Sequence, residues 1–257
     1  MKAVILAGGF GTRISEESYL KPKPMVGIGE MPILWHIMKI YSQYGINDFI
    51  VCLGYKGYVI KEFFANYFLY SSDVTFDFSN NNMEVHRNTS ENWKVTLVET
   101  GLNTMTGGRI KRIEKYIGKQ AFCLTYGDGI ADINISELID YHKNSGKIVT
   151  MTAVNADQRF GVLNVTQNNE ILEFREKAKK DNSLINGGFM VAEPEVFQYL
   201  ENDETIFEQK PLETLASERQ LNAYIHTGFW KCMDTKRDKD QLEAMWNSGN
   251  APWKIWE

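Results

Sequence analysis

The chain has 257 residues, 43% hydrophobic and 24% charged, with a net charge of −5. This size and balance suit one large α/β domain with a sizeable core. The acidic balance argues against a general nucleic-acid binder, and no apolar run approaches the ~20 residues that span a membrane. The three cysteines, Cys52, Cys123 and Cys232, are odd in number and far apart. They read as buried thiols of a reducing compartment, the cytoplasm, and not as a disulfide framework. No signal-peptide pattern precedes the first strand, and the four histidines lack zinc-ligand spacing.

In chain order, residues 3–6 are an apolar strand that ends at Ala7-Gly8-Gly9-Phe10-Gly11-Thr12-Arg13. Glycines at 8, 9 and 11 allow a tight turn whose amides face outward, and an array of amides binds polyphosphate. Arg13, Lys21 and Lys23 supply neutralising charge. Lys23 stands between Pro22 and Pro24, a stiff segment that fixes where its side chain points. A dinucleotide fingerprint starting at Gly9 would need a third glycine where Ile14 stands, and no Gly-Lys-Ser/Thr follows for a P-loop.

Residues 33–44 have helical spacing and stop at Gly45, 48–53 read as a buried strand, and 58–68 as an aromatic-rich helix. Residues 70–92 depart from this alternation with polar turns; a flap, an oligomer arm and a plain surface hairpin all fit. A buried strand at 121–125 runs into Tyr126-Gly127-Asp128-Gly129, followed by a helix at 135–143 and a β-branched strand at 148–154. Such alternation predicts an α/β fold: a Rossmann-like, mostly parallel (mixed) sheet with helices on both faces. Ligands of such sheets bind at the carboxyl ends of strands, where the glycine loop and Asp128 fall.

The second half is richer in strands, as small β-rich embellishments. Strands are predicted at 160–165, 170–174, 188–191 and 221–226, short helices opening with proline at 194–200 and 211–218, and an amphipathic helix at 235–247. No repeat or linker interrupts the chain. Asp128, between two glycines at a strand end, suits a metal and suits a turn equally. Asp234 by itself reads as the N-cap of the 235–247 helix. Trp246, Trp253 and Trp256 put three indoles in the last 12 residues; that surface packs either on its own subunit or on a neighbour.

LAGGFGTR with KPKPM resembles the signature of the sugar-1-phosphate nucleotidylyltransferases, and the match runs along nearly the whole chain. Within that family, MKAVILAGGFGTR, KPKPMVGIG, PILWHIMKIYSQYGINDFIVCLGYKG and TGGRIKR look like the members that join CTP to glucose 1-phosphate. The resemblance implies one domain over 1–257, with residues 1–130 mainly for nucleotide, 131–240 mainly for sugar phosphate and 241–257 as a tail. It gives nucleotide-binding roles to Leu6, Ala7, Gly8, Gly9, Phe10, Gly11, Thr12, Arg13, Lys23, Thr104 and Arg109. Catalysis falls to Arg13, Lys23 and Asp128, with Lys23 on the α-phosphate and Arg13 on the leaving pyrophosphate.

By the same resemblance Asp128 and Asp234 hold Mg²⁺, and Gly161, Glu176, Lys177, Asn186 and Gly187 take the sugar phosphate. Gly129 and Ala178 stand where the family usually has Asn and Pro, which touches loop geometry and not charge. Arg109 also admits a plainer reading, a helix-start residue facing water. The implied activity is CDP-glucose synthesis for bacterial surface polysaccharide, by a homo-oligomer with a hexamer among its forms. The rival readings are the same reaction with dTTP or UTP, and a non-catalytic regulatory subunit. Retention of Arg13, Lys23, Asp128, Lys177 and Asp234 disfavours the second.

Overall fold

A continuous apolar run has no face to offer water, so the strand it forms lies inside a sheet covered on both sides. That strand is β1 (Lys2–Leu6). The computed structural model describes residues 1–11, 14, 19–155, 162–166, 169, 171–175 and 184–256. A small antiparallel pair, β2 (Gly27–Ile28) and β3 (Met31–Pro32), precedes the helix Ile33–Gln43 and β4 (Asp48–Leu53). The helix Gly57–Tyr70 leads into a separate hairpin, β5 (Ser72–Asp77) with β6 (Asn82–Asn88), and the chain returns to the sheet in β7 (Lys94–Glu99). Two helices, Thr106–Arg112 and Glu114–Ile117, precede β8 (Phe122–Tyr126) and the short β9 (Gly129–Ala131).

After the helix Ile135–Ser145 come β10 (Val149–Asn155), β11 (Val162–Val165), β12 (Ile171–Arg175) and β13 (Leu184–Ala192). The helix Lys210–Ser217, β14 (Leu221–His226), β15 (Trp230–Cys232) and the helix Lys236–Asn247 complete the chain. Among the described residues the main sheet has nine strands in the order β12-β11-β13-β8-β1-β4-β7, with β10 and β14 joined through β13. β1 is parallel to both β4 and β8, β4 to β7, and β10 to β14, while β13 runs antiparallel to β8, β10 and β11. The predicted mixed, mostly parallel sheet is what forms.

Alternate side chains divide the core into two layers. Ala3, Ile5, Phe49 and Val51 face a layer with Ile37, Tyr41 and Leu242 from the helices on one side. Val4, Leu6, Ile50 and Cys52 face the other, with Ile110, Leu212 and Leu215. Both faces are therefore helix-covered, and each fully buried Leu, Ile or Val contributes about 1.5–3 kcal/mol. No helix among the described residues is long and apolar enough to cross a membrane.

Several elements differ from the sequence reading, among them β2, β3 and the helices Thr106–Arg112 and Glu114–Ile117, which it did not predict. Residues 94–99, not predicted as a strand, form β7, an edge strand that is half-exposed and so carries a weak apolar signal. Gly129–Ala131 is a strand because β15, far along the chain, pairs with it. The strand predicted at 188–191 extends to Leu184–Ala192 through a bulge against β10. Pro194–Tyr199 is a 3₁₀ helix, six residues between strand and loop with room only for i→i+3 bonds.

The tryptophan tail docks on its own subunit. Trp253 is fully buried and donates to His36 Nδ1 at 3.4 Å, while Trp246 and Trp256 pack edge-on or tilted against the same imidazole. Gly29, at φ +62°, has no room for a Cβ, which would lie 2.2 Å from the Trp246 Nε1. His36 Nε2 donates to the Ile28 carbonyl at 2.9 Å, so its Nδ1 must remain an acceptor and the ring neutral. Burial, against bonds to Ile28 and Met31 that act the other way, pulls its pKa down to about 4.

The unfolded chain therefore binds the extra proton first. His36 contributes its full stabilisation above the ordinary pKa of about 6.5 and loses it as pH falls toward about 4. Urea unfolding should show about 2 kcal/mol less stability at about pH 5 than at about pH 8 from this group alone. A His36→Gln variant should lack that share of the pH slope; an unchanged slope would refute the assignment.

Candidate active site

β1 and β8 are parallel neighbours with Leu6 opposite Tyr126, so the loops that leave them emerge side by side. The Gly127 N–H donates to the Leu6 carbonyl at 3.0 Å and pins the two loops together. Asp128 follows, and the β9–β15 pair then sets Gly129 opposite Cys232. With the Met233 N–H on the Asp128 carbonyl at 2.8 Å, this register carries Asp234 beside Asp128. Lys23 enters in the 3₁₀ turn Lys23–Met25, its backbone held by Pro22 and Pro24. Its ammonium donates to Asp128 Oδ2 at 2.6 Å and also to Asp234 Oδ1.

These three side chains are 13%, 26% and 10% exposed for Lys23, Asp128 and Asp234. Burial works against the Lys23 charge, but Asp128, with the hydrogen bonds from both carboxylates, outweighs it and holds the lysine above its ordinary pKa. The sequence alone favoured Asp234 as a helix cap. In the structure Thr235 is the cap, in a reciprocal capping box with Asp238, and the Asp234 carboxylate is turned to Lys23 instead.

Donor atoms of Asp128, Asp234 and Cys232 lie within 4.8 Å of one another. Burial first, then the Asp128 carboxylate, pushes the Cys232 thiol well above its ordinary pKa. It stays an S–H group, and the donors left are two carboxylates. Hard oxygen donors with one net negative charge beyond Lys23 fit a hard divalent cation.

A cavity of about 510 Å³ opens over these groups, lined by residues 6–11 with Lys23, Thr104, Arg109, Asp128 and Asp234 among others. Eleven predicted positions thus share one wall. Asn186 and Gly187 are not among its lining residues: the Asn186 amide donates to Oη of the lining residue Tyr126 at 3.2 Å, and the Gly187 carbonyl accepts from Trp230 Nε1 at 2.6 Å. Thr12, Arg13, Gly161, Glu176 and Lys177 fall outside the described residues.

Arg109 is 4% exposed, which removes the reading of a helix-start residue facing water. Its guanidinium donates to the carbonyls of Gly8 (3.0 Å), Leu53 (3.0 Å), Gly101 (2.7 Å) and Leu102 (3.2 Å), and to the Thr100 hydroxyl (2.8 Å). It ties the glycine loop to the loop at 101–102. The Gly8 carbonyl also accepts from the Tyr55 N–H, and across a trans peptide the following N–H points the opposite way. The Gly9 N–H is thereby aimed away from Arg109 and Tyr55. Tyr126, on the cavity wall, and Glu208, which accepts its hydroxyl at 2.5 Å, were missed by the sequence reading. A contact across 82 positions leaves no local pattern to find.

The sequence profile of the nucleotidyl transferase family matches residues 2–246. The chain belongs to this family. It is 58% identical to the glucose-1-phosphate cytidylyltransferase of Salmonella typhi, and 47% identical to the probable glucose-1-phosphate cytidylyltransferase of Bacillus subtilis, over the full length of each. In fold it resembles HddC from Yersinia pseudotuberculosis (TM-score 0.75, 23% identity, 95% of this chain and 99% of that one). It also resembles an apo UDP-glucose pyrophosphorylase (TM-score 0.76, 16% identity, 96% and 98%). As a nucleotidyltransferase, the chain is an enzyme whose family generally uses a divalent metal.

The nucleotidyltransferase loop has no room at Gly8. A Cβ there would lie 2.1 Å from Arg109 Nη1, and the guanidinium is boxed in by five acceptors. Gly8→Ala should therefore lower stability by about 1–3 kcal/mol and weaken nucleotide binding on the order of tenfold. Thermal unfolding and nucleotide titration check this; wild-type affinity would show that the Arg109 clamp does not shape the loop.

Proposed function

We propose that this chain transfers the cytidylyl group of CTP to α-D-glucose 1-phosphate, releasing pyrophosphate and CDP-glucose. The carrying observation is the Lys23 ammonium bonded to Asp128 and Asp234 beside a glycine-rich loop. Full-length identity of 58% to a protein named for that reaction supports the choice of substrates.

The sugar-phosphate oxygen is already anionic, so no base has to activate it. A bond forms from that oxygen to the α-phosphorus, the bond to the bridging oxygen breaks in line, and pyrophosphate leaves with its electron pair. Catalysis is then positioning and charge neutralisation. The Gly9 amide and its neighbours cradle the phosphates, Lys23 holds the α-phosphate, and Arg13 takes the departing pyrophosphate. Thr104 forms the base end of the cavity, and Arg109, clamped under Gly8, serves the nucleotide through the glycine loop. Gly161, Glu176, Lys177, Asn186 and Gly187 take the sugar-phosphate role in this reading, so residues 1–130 serve mainly the nucleotide and 131–240 mainly the sugar phosphate. Mg²⁺ held by Asp128 and Asp234 supplies further neutralisation of the phosphates. The setting is the cytoplasm, and the product feeds CDP-deoxysugar and O-antigen synthesis.

Pyrophosphate release with glucose 1-phosphate and Mg²⁺ separates the nucleotides. CTP should be strongly preferred; preference for UTP or dTTP would keep the mechanism and overturn the base assignment. Asp128→Asn should lower kcat on the order of 10²–10³-fold without unfolding the protein, and near-normal turnover would remove Asp128 from the site.

The same reading includes a homo-oligomer, with a hexamer among its forms. The β5–β6 hairpin forms a sheet of its own, and a lone two-stranded hairpin is marginal in water. It exposes Phe76 (53%), Phe78 (92%), Met83 (43%) and Val85 (39%), an apolar patch of the kind a second copy covers. Light scattering should give a multiple of the 29.5 kDa protomer, and Phe78→Asp with Met83→Asp should reduce it. An unchanged mass in the double variant would leave the hairpin outside the interface.

A further inference from the structure

β13 loses register with β10 between Met151 and Ala153: their partners are Met190 and Asn186, so β13 carries the extra residues. Bulges beside a site re-aim side chains. Here the bulge brings Asn186 to Tyr126: the Asn186 amide donates to Tyr126 Oη at 3.2 Å, and Asn186 Oδ1 accepts from the Gly188 N–H at 2.8 Å. The Tyr126 hydroxyl donates to Glu208 Oε1 at 2.5 Å. The second oxygen of that carboxylate, Oε2, accepts from the Thr106 hydroxyl at 2.5 Å. Thr106 opens the helix that carries Arg109. Tyr126 and Thr106 both line the cavity; Thr106 stands next to Thr104 and Arg109, read above as nucleotide residues, and Tyr126 is bonded to Asn186, read above as a sugar-phosphate residue.

We propose that Glu208 is a positioning residue that fixes the nucleotide wall and the sugar wall of the cavity to each other. It rests on the sugar-side reading of Asn186 given above. An ionised carboxylate only accepts, so both hydroxyls must donate to it and their proton directions are set. The Tyr126 oxygen is then left to accept from Asn186, and the Thr106 oxygen accepts from the Phe207 N–H at 2.9 Å. A glutamine at 208 has one accepting oxygen in place of two, so one of the two hydroxyls has to turn its proton elsewhere and accept from the amide instead.

The test measures KM for CTP and for glucose 1-phosphate, kcat and Tm in Glu208→Ala, Glu208→Gln, Tyr126→Phe and Asn186→Ala. Glu208→Ala should raise both KM values on the order of five- to tenfold, and the isosteric Glu208→Gln at least one of them. Tyr126→Phe should raise only the glucose 1-phosphate KM, and adding Glu208→Ala to it should raise that KM no further. Should the alanine variant fail to fold, the glutamine variant decides alone. A lowered Tm with both KM values unchanged in the Glu208 variants makes the residue a structural prop and overturns the proposal. If Asn186→Ala raises the glucose 1-phosphate KM while neither Glu208 variant does, Glu208 alone is wrong. If Asn186→Ala leaves it unchanged, the sugar-side reading fails and takes the coupling with it.

Discussion

One ammonium between two carboxylates organises the catalytic end of this protein. Asp128 and Asp234 without Lys23 would be two carboxylates side by side in a partly buried place, with nothing to offset their repulsion. Lys23 supplies the opposite charge in hydrogen-bond contact with both. Removing one partner of such a group leaves an uncompensated charge at about 3–5 kcal/mol, so the three elements that deliver them are locked together. The parallel β1–β8 register brings up Asp128, the β9–β15 pair brings up Asp234, and the proline-flanked turn brings up Lys23. The group retains one net negative charge. It therefore suits a dication, and a bound dication in turn makes the site hospitable to a polyphosphate that the bare carboxylates would repel.

The second buried cation works by a different rule. All five of the acceptors found for Arg109 are neutral, four carbonyls and a hydroxyl. Dipoles satisfy its donors without cancelling its charge, so positive potential persists beneath the glycine loop. The loop itself is shaped by that contact. Gly8 is a glycine because the guanidinium occupies the space of a side chain, and its inward carbonyl sends the next amide the other way. One buried arginine thus fixes the loop's conformation and favours an anion above it.

How much of this was legible in the sequence follows from where the information lies. The glycine loop, Lys23 with its prolines and the Gly-Asp-Gly turn are contiguous, and contiguous chemistry can be read directly. Strands with unbroken apolar runs, such as 48–53, were equally plain. β7 was not, because an edge strand needs only one covered face. Asp234 was misjudged on its own residues since Thr235 and Asp238 close the cap without it. The tail's destination was undecidable because Trp253 meets His36 across 217 positions, and Glu208 is invisible for the same reason.

The mixed topology explains why the missed residues sit where they do. β1, β4, β7 and β8 run in parallel and open together toward the glycine loop, which serves a polyphosphate well. A second substrate must be held at an angle to the first, and a wholly parallel sheet would give it the same orientation. β13 enters antiparallel beside β8, so its early residues, Asn186 to Gly188, arrive at the carboxyl end of β8 from the opposite direction. Tyr126 is the residue of β8 at that junction. Its hydroxyl donates to Glu208 and accepts from Asn186, so it joins the helix that carries Arg109, through Thr106, to the start of β13.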